Sequence, residues 1–222
     1  MKQQDLDIFC ETLYQGSKHL GIPLTQTEVN QMACHAEQLE KWNKKINLTA
    51  ITDPGAMAQK HFLDAIAIQT FVHQKKTVLD MGSGGGFPGL PLKLLNPDMH
   101  MVLVDASRKK VHFLKHVIRT LGIGGIEVIH TRVEDLHRNP DVIARFDAVL
   151  ARGFAALDIL ARLAGPLLQP KGTIYALKGP NAAEEISLDL KTQFAMQCDY
   201  YTLPFEGANR CLVRLEPNKK SS

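Results

Sequence analysis

The chain has 222 residues, of which 45% are hydrophobic, so it can bury the core of one domain with an appendage. Without 18 uninterrupted apolar residues or an amino-terminal signal sequence, we expect a soluble, cytoplasmic protein with no membrane partner. The net charge of +3 falls short of a strongly basic nucleic-acid-binding surface, and four scattered cysteines without C-x-x-C spacing predict neither a metal site nor a disulfide.

Residues 1–72 are predicted to form a helical extension. Apolar residues recur at helical spacing over residues 5–20. Thr25 and Glu28 have the spacing of a capping box, which opens a second helix with an apolar stripe up to Trp42. Asp53 followed by Pro54 predicts the start of a third helix that runs to about residue 70.

The stretch TVLDMGSGGGFPGL, residues 77–90, predicts a buried strand that ends in a ligand-binding turn. Asp80 lies at the carboxyl end of this strand. Gly82, Gly84 and Gly86 can take positive φ and have no Cβ, so a ligand can lie against their backbone. The LPLKLL segment that follows has the apolar spacing of a helix packed on the sheet.

The glycines of this turn fit two ligand classes. Gly84, Gly86 and Gly89 match G-x-G-x-x-G, the dinucleotide fingerprint. Counted from Asp80, the turn instead reads D-x-G-x-G-x-G, which is typical of S-adenosylmethionine-dependent methyltransferases. An acid before the glycines favours the cationic methyl donor, since a pyrophosphate would be repelled. The turn therefore favours S-adenosylmethionine, with a nicotinamide or flavin cofactor as the alternative.

A second apolar strand, MHMVLVDAS, ends in Asp105, about 20 residues beyond the turn. A carboxylate at this position can accept hydrogen bonds from both ribose hydroxyls of a nucleoside, in either cofactor class. The alternative is that Asp105 caps the following helix. The second strand therefore supports a nucleoside ligand without identifying it.

The rest of the chain alternates strands and helices, with strands predicted at GIEVIH, FDAVLARG and GTIYALKG. This alternation predicts a parallel sheet with helices on both faces. YYTLPF and RCLVRLE, separated by EGAN, predict an antiparallel pair that closes the sheet. We therefore predict an α/β, Rossmann-like domain with a mostly parallel seven-stranded sheet over residues 73–217, followed by a frayed tail at 218–222.

Ligands of open parallel sheets bind at the carboxyl ends of the strands, where three further segments lie. Residues 131–135 follow the third strand and offer a backbone amide and a carboxylate for an adenine edge, or simply an acidic helix start. Arg152 follows the fourth strand and is expected to face the site, with a surface salt bridge as the alternative. Lys178 follows the fifth strand and can meet a phosphate or a base, or be solvated.

Several separated motifs together resemble the bacterial small-subunit ribosomal RNA guanine-N(7) methyltransferases, the glucose-inhibited division protein B family. They are WNKKINLTAI, KHFLDAIA, LDMGSGGGFPGLPLKL, ARGFA and ALKG, which together span nearly the whole chain. The resemblance implies a class I S-adenosylmethionine-binding domain that methylates one guanine of 16S ribosomal RNA. By position, it implies a cofactor site at Gly82, Phe87, Val133, Glu134 and Arg152. The chain departs from the family at Gly153, where alanine is more frequent, and at Ala65, where serine is.

The residues after the fourth strand also bear on the reaction. Methylation of an exocyclic amine typically uses Asn/Asp-Pro-Pro-aromatic at this point, but the chain has Ala151-Arg152-Gly153-Phe154. Methylation of a pyrimidine carbon needs a nucleophilic cysteine, commonly followed by proline, and no cysteine here precedes proline. Guanine N(7) carries an in-plane lone pair and no proton, so it needs no general base. We therefore assign no acid or base residue.

RNA contacts are predicted in local basic patches. Lys41 and Lys45 flank Trp42, while Arg108 and Lys109 begin the helix after Asp105. Further candidates are Lys60, His61 and Lys178. Each patch can equally be an ordinary solvated face, and His61 can be a hydrogen-bonded packing residue.

Sequence alone leaves three other functions open. They are a methyltransferase for a small molecule, a nicotinamide-dependent oxidoreductase and a non-catalytic nucleotide-binding module. For the favoured function, we expect a monomer whose partner is 16S ribosomal RNA or the small ribosomal subunit.

Overall fold

The computed structural model describes residues 1–136, 138–205 and 207–218, apart from the side chain of Asp141. The α-helices in these ranges are α1 (Gln3–His19), α2 (Gln26–Asn43), α3 (Pro54–Met57), α4 (Asp64–Ile66), α5 (Gln69–Val72), α6 (Gly89–Leu95), α7 (Arg108–Leu121), α8 (Val133–Leu136), α9 (Leu157–Ala164) and α10 (Leu188–Gln193). The strands are β1 (Thr77–Met81), β2 (His100–Asp105), β3 (Ile126–His130), β4 (Phe146–Arg152), β5 (Leu168–Lys178), β6 (Phe194–Thr202) and β7 (Asn209–Pro217).

The predicted capping box at the start of α2 is confirmed. Thr25 Oγ1 accepts a hydrogen bond from the backbone N–H of Glu28 at 3.2 Å, and Glu28 Oε2 accepts one from the backbone N–H of Thr25 at 2.7 Å. Two of the otherwise unpaired amides at the helix start are satisfied in this way.

The third helix begins where predicted but is not continuous to residue 70. Asp53 caps α3 by accepting a hydrogen bond from Ala56 N at 2.7 Å. The helix then widens into a π-helical segment, Ala58–Leu63, and continues as α4. At buried Ile68 the backbone leaves the helical region, with φ −91° and ψ 4°, before α5 begins. Periodicity does not reveal such interruptions, because the apolar spacing continues through them.

The seven strands form one sheet in the order β3-β2-β1-β4-β5-β7-β6. Strands β1 to β5 are parallel, and β7 is antiparallel to both β5 and β6, as predicted. Two strands start earlier than predicted, β5 at Leu168 and β6 at Phe194. β6 is an edge strand in which Phe194 is buried and the other residues are half-buried or exposed, so its polar positions obscured its start in the sequence.

The sheet separates two hydrophobic clusters. One contains the buried side chains of α1 and α2 together with those of α6 and α7. The other contains α9 and the opposite faces of β1, β2 and β4. The first 72 residues thus share a core with the sheet, and their division from residues 73–217 stays a prediction. Of the predicted tail, residues 219–222 lie outside the described residues.

Within the ranges described above, no helix is long and apolar enough to cross a membrane. The same residues contain no cluster of three histidine, cysteine or acidic side chains placed to hold a metal ion. The carboxyl ends of β1, β2 and β4 adjoin one another, and that edge of the sheet carries the candidate site.

Candidate active site

The glycine turn after β1 has the backbone conformation that its sequence predicts. Gly82, Gly84 and Gly86 have φ of +73°, +56° and +91°. The N–H groups of Gly82 and Ser83 both donate to the carbonyl of Val104, at 2.9 and 3.0 Å, which ties the turn to β2. These positive angles favour glycine. Among the described residues, a Cβ at Gly84 would meet only the Gly82 carbonyl oxygen within 4 Å, so open backbone lies at Gly84, whereas a Cβ at Gly82 would press on Phe154 and one at Gly86 on Leu90.

Asp80 lies beneath the turn and is fully buried. Its Oδ2 accepts a hydrogen bond from Gly89 N at 3.0 Å, while its Oδ1 is buried with no hydrogen-bond partner among the residues described. Burial raises the pKa of this carboxyl group from 3.8 to about 7, and the Gly89 hydrogen bond opposes this rise. The Asp80 side chain therefore links the end of β1 to the start of α6, and its predicted direct contact with the cofactor stays a prediction.

The raised pKa of Asp80 makes the stability of the protein depend on pH. Because the folded state binds the proton more tightly, the stability from this group is fully present below pH 3.8 and is lost as the pH rises through about 7. We expect Asp80→Asn, which cannot ionise, to match the wild type at about pH 4 and to have a free energy of unfolding up to about 4 kcal/mol higher at about pH 8.

Urea denaturation across this pH range measures the difference between the two proteins. A difference that does not change with pH would contradict the assignment of a raised pKa to Asp80.

Asp105 joins the turn to the start of α7. Its Oδ2 accepts a hydrogen bond from Gly84 N at 3.0 Å, and its Oδ1 accepts one from Ser107 N at 2.7 Å. Ser107, and not Asp105, is the capping residue of α7. Each carboxylate oxygen keeps a further lone pair for another donor, so the two hydrogen bonds do not exhaust its acceptor capacity.

Phe87 is the centre of an aromatic stack that joins the glycine turn to the amino-terminal helical segments. Its ring centroid lies 4.9 Å from those of His35 and His61, in near-parallel arrangements. His35 Nε2 lies 2.8 Å from the carbonyl oxygen of Gly85. Burial lowers the pKa of both histidines to about 4, so both are neutral near pH 7. For His61 this favours a hydrogen-bonded packing residue over a phosphate contact.

Arg152, at the end of β4, has its guanidinium carbon 5.1 Å from the Phe87 ring centroid. Its Nη1 donates to the Lys60 carbonyl at 2.9 Å, and its Nη2 donates to His61 Nδ1 at 3.2 Å. The guanidinium also forms an ion pair with Asp64 at 3.4 Å. Asp64 was missed by the sequence analysis, although the KHFLDAIA motif contains it.

The remaining candidates for cofactor binding and RNA binding beside the strand ends have different surroundings. Val133 is buried at the start of α8, and Glu134 next to it is exposed. Lys178 Nζ donates to the Ala155 carbonyl at 2.7 Å and to Glu185 Oε2 at 2.6 Å. Lys178 is therefore held by the protein itself, which favours a structural role over the predicted contact with a phosphate or base.

The two predicted basic patches lie on neighbouring helices. Trp42 of α2 packs against His116 of α7, with ring centroids 5.3 Å apart, and Gln38 and His116 are hydrogen-bonded at 2.9 Å. This packing brings one helix end of α2 to α7. The predicted residues Lys41 and Lys45 are exposed at this end of α2, whereas Arg108 and Lys109 are exposed at the start of α7, about two turns before His116. Lys60 instead lies in the π-helical segment and is partly buried.

Comparison with protein families gives a match over residues 28–213 to the model described as rRNA small subunit methyltransferase G. A relative named ribosomal RNA small subunit methyltransferase G, from Geobacter sulfurreducens, is 42% identical over 211 residues, covering 93% of this chain and 96% of its own length. A relative of the same name from Bacillus cereus is 34% identical and covers 90% of this chain and 87% of its own length.

Solved structures share the fold at lower identity. A predicted O-methyltransferase from Agrobacterium tumefaciens has a TM-score of 0.60 at 18% identity, covering 71% of this chain and 82% of its own. TrmK of M. capricolum, solved with S-adenosyl-homocysteine, has a TM-score of 0.55 at 13% identity, covering 70% and 68%. These structures support a Rossmann-like methyltransferase fold. With a family match over most of its length and full-length relatives, the chain belongs to the rRNA small subunit methyltransferase G family.

Proposed function

We propose that this protein transfers the methyl group of S-adenosylmethionine to N(7) of a guanine in 16S ribosomal RNA, by direct in-line attack of the ring nitrogen. One observation carries the proposal: in a member of an rRNA methyltransferase family, three left-handed glycines at the end of β1 lie beside the Asp105 carboxylate at the end of β2. Membership of this family argues against the nicotinamide-dependent oxidoreductase and the non-catalytic module.

The residues present fit the cofactor. The turn offers open backbone at Gly84 for the methionine part, and Asp105 retains acceptor capacity for the ribose hydroxyls. Val133 and Glu134 would contact the adenine, while Arg152 and Phe87 lie on the other side of the turn. The solved complex of TrmK with S-adenosyl-homocysteine supports a nucleoside ligand in this fold.

The mechanism needs positioning more than acid–base chemistry. When bound, S-adenosylmethionine supplies an electrophilic methyl group on a positively charged sulfonium. The protein would hold the guanine N(7) lone pair in line with that methyl group and exclude water. His35 and His61, which have lowered pKa values and are engaged in packing, are not required as bases. No covalent intermediate is involved.

Recognition of RNA would use Lys41 of α2, Lys45 just beyond it, and Arg108 and Lys109 at the start of α7, all of which are exposed. The contact between Trp42 and His116 joins α2 to α7, and Arg108 and Lys109 begin α7 about two turns before His116, so the basic residues of the two helices would contact separate phosphates of one RNA strand. Lys60, His61 and Lys178 would have a lesser part, since each has contacts within the protein. We expect the enzyme to act as a monomer on 16S ribosomal RNA or on the small subunit.

We expect small-subunit RNA from cells that carry the gene to be cleaved at one additional guanine by borohydride and aniline, which cut RNA at 7-methylguanine. RNA from cells without the gene should lack that cut, and purified protein with S-adenosylmethionine should restore it. Identical cleavage of both RNAs would reject the proposed function. As a cofactor control, calorimetry should give tighter binding of S-adenosylmethionine than of NAD, and the reverse preference would reject the methyl donor.

A further inference from the structure

Asp64 is a buried carboxylate that contacts Arg152, whose guanidinium lies over the ring of Phe87. It lies at the first position of α4, directly after the π-helical segment, and is 4% exposed. Its Oδ2 is 3.4 Å from Nη1 of Arg152. Its Oδ1 accepts a hydrogen bond from the Tyr201 hydroxyl at 2.8 Å and lies 3.6 Å from Nε of Arg210.

The carboxylate of Asp64 is therefore compensated on both sides. Two guanidinium groups balance its charge, and the Tyr201 hydroxyl donates to it, so this buried anion is paired and hydrogen-bonded. Burial, followed by the negative charge of Asp64, raises the pKa of Tyr201 above its usual value. The hydroxyl thus keeps its proton and can only donate to the carboxylate, which defines the orientation of both groups.

Arg152 needs such contacts to occupy one position. A free arginine side chain has about 2 kcal/mol of rotamer entropy that ordering must offset. Here Nη1 of the guanidinium contacts both the Lys60 carbonyl and Asp64, and Nη2 contacts His61. Among the described residues, Asp64 is the one carboxylate that forms an ion pair with Arg152, so it contributes the charged contact.

We propose that Asp64 is a positioning residue for Arg152, and that the Tyr201 hydroxyl in turn orients Asp64. The inference rests on the proposed place of Arg152 in the cofactor site. It assigns a function to the β6–β7 pair, which supplies Tyr201 and Arg210 and contains none of the motifs that identify the family. Arg152 would then be presented to the bound cofactor and guanine already oriented.

The variants Asp64→Asn and Tyr201→Phe test this role, since each keeps the volume of the side chain. We expect Asp64→Asn to weaken the binding of S-adenosyl-homocysteine about tenfold and to lower kcat/KM for S-adenosylmethionine about tenfold. For Tyr201→Phe we expect both losses to be about threefold. Calorimetry and methyl transfer at limiting cofactor measure these losses. Tyr201→Phe keeps the test decisive if Asp64→Asn does not fold.

Matched controls are available at contacts that do not reach Arg152. Asp199 forms a two-pronged ion pair with Arg214 across the same strand pair, at 2.6 and 3.2 Å. The Tyr175 hydroxyl donates to the Phe71 carbonyl at 3.1 Å. Asp199→Asn and Tyr175→Phe should change ligand affinity less than about twofold. Losses in the controls as large as in Asp64→Asn would overturn the proposal.

A double-mutant cycle with Arg152→Ala separates positioning from general destabilisation. If Asp64 acts through Arg152, Asp64→Asn should cost less than about twofold in affinity when Arg152 is already alanine. If Asp64→Asn still lowers the affinity about tenfold in the Arg152→Ala protein, the proposal is overturned.

A measurement on the ligand-free protein is independent of the proposed function. In NMR spectra of 15N-labelled arginine side chains, Arg152 should give resolved signals of a restrained guanidinium, assigned with Arg152→Lys. These signals should disappear in Asp64→Asn and persist in Asp199→Asn, whereas their persistence in Asp64→Asn would refute the positioning role. Wild-type protein that neither binds S-adenosyl-homocysteine nor methylates RNA would instead refute the proposed function.

Discussion

Replacement of Asp105 with alanine is expected to lower kcat/KM for S-adenosylmethionine by about a hundredfold. The carboxylate accepts the N–H groups of Gly84 and Ser107, so its removal leaves two amides without their partner and loosens the turn and the start of α7 together. In the proposed complex it would also remove the acceptor for the ribose hydroxyls. Methyl transfer at limiting cofactor, together with calorimetric binding of S-adenosyl-homocysteine, measures the loss.

Asp147→Ala is the matched control for this substitution. Asp147 Oδ2 accepts the N–H groups of Lys76 and Thr77, both at 2.9 Å, near the start of β1 and so at the edge of the sheet away from the turn. Its replacement should lower the free energy of unfolding about as much as Asp105→Ala does, because it also leaves two amides without their acceptor. It should leave cofactor affinity within about twofold of the wild type. Equal losses of cofactor affinity in the two variants would show that Asp105 acts through stability alone.

Gly86→Ala is expected to lower the free energy of unfolding by about 3 kcal/mol. The φ of +91° is strained for any residue with a Cβ, and the new methyl group would overlap the side chain of Leu90 and lie 3.3 Å from Cε1 of His35. Both neighbours are buried, so neither can move away without disturbing the core. Urea denaturation measures the change.

Gly179→Ala provides the comparison for Gly86→Ala. Gly179 follows β5, outside the left-handed region, and an added Cβ would meet no atom within 4 Å in the described part of the protein. This variant should change the free energy of unfolding by less than about 0.5 kcal/mol. If Gly86→Ala lowers the free energy of unfolding no more than Gly179→Ala does, the backbone of the turn must be able to adapt to a Cβ.

Local features of the protein were readable from its sequence because they depend on neighbours in the chain. The capping box of Thr25 and Glu28 and the left-handed glycines after Asp80 are set by side-chain reach and backbone sterics within a few residues. The alternation of apolar strands and helices likewise predicted the parallel sheet with its antiparallel pair. Motif order, read along the whole chain, identified the family.

Only the tertiary structure decided what several site residues contact. Asp80 is buried and bonded to Gly89 N, and His61 is stacked on Phe87, which is the packing role that the sequence left open beside a phosphate contact. Asp64 meets Arg152 across 88 residues of sequence and Tyr201 across 137. Such contacts form when a sheet and its helices bury a shared core, because burial shifts pKa values and pairs distant charges. The sequence by itself therefore determined most of the elements, the turn and the family, and the packing determined which distant side chains contact one another beside the turn.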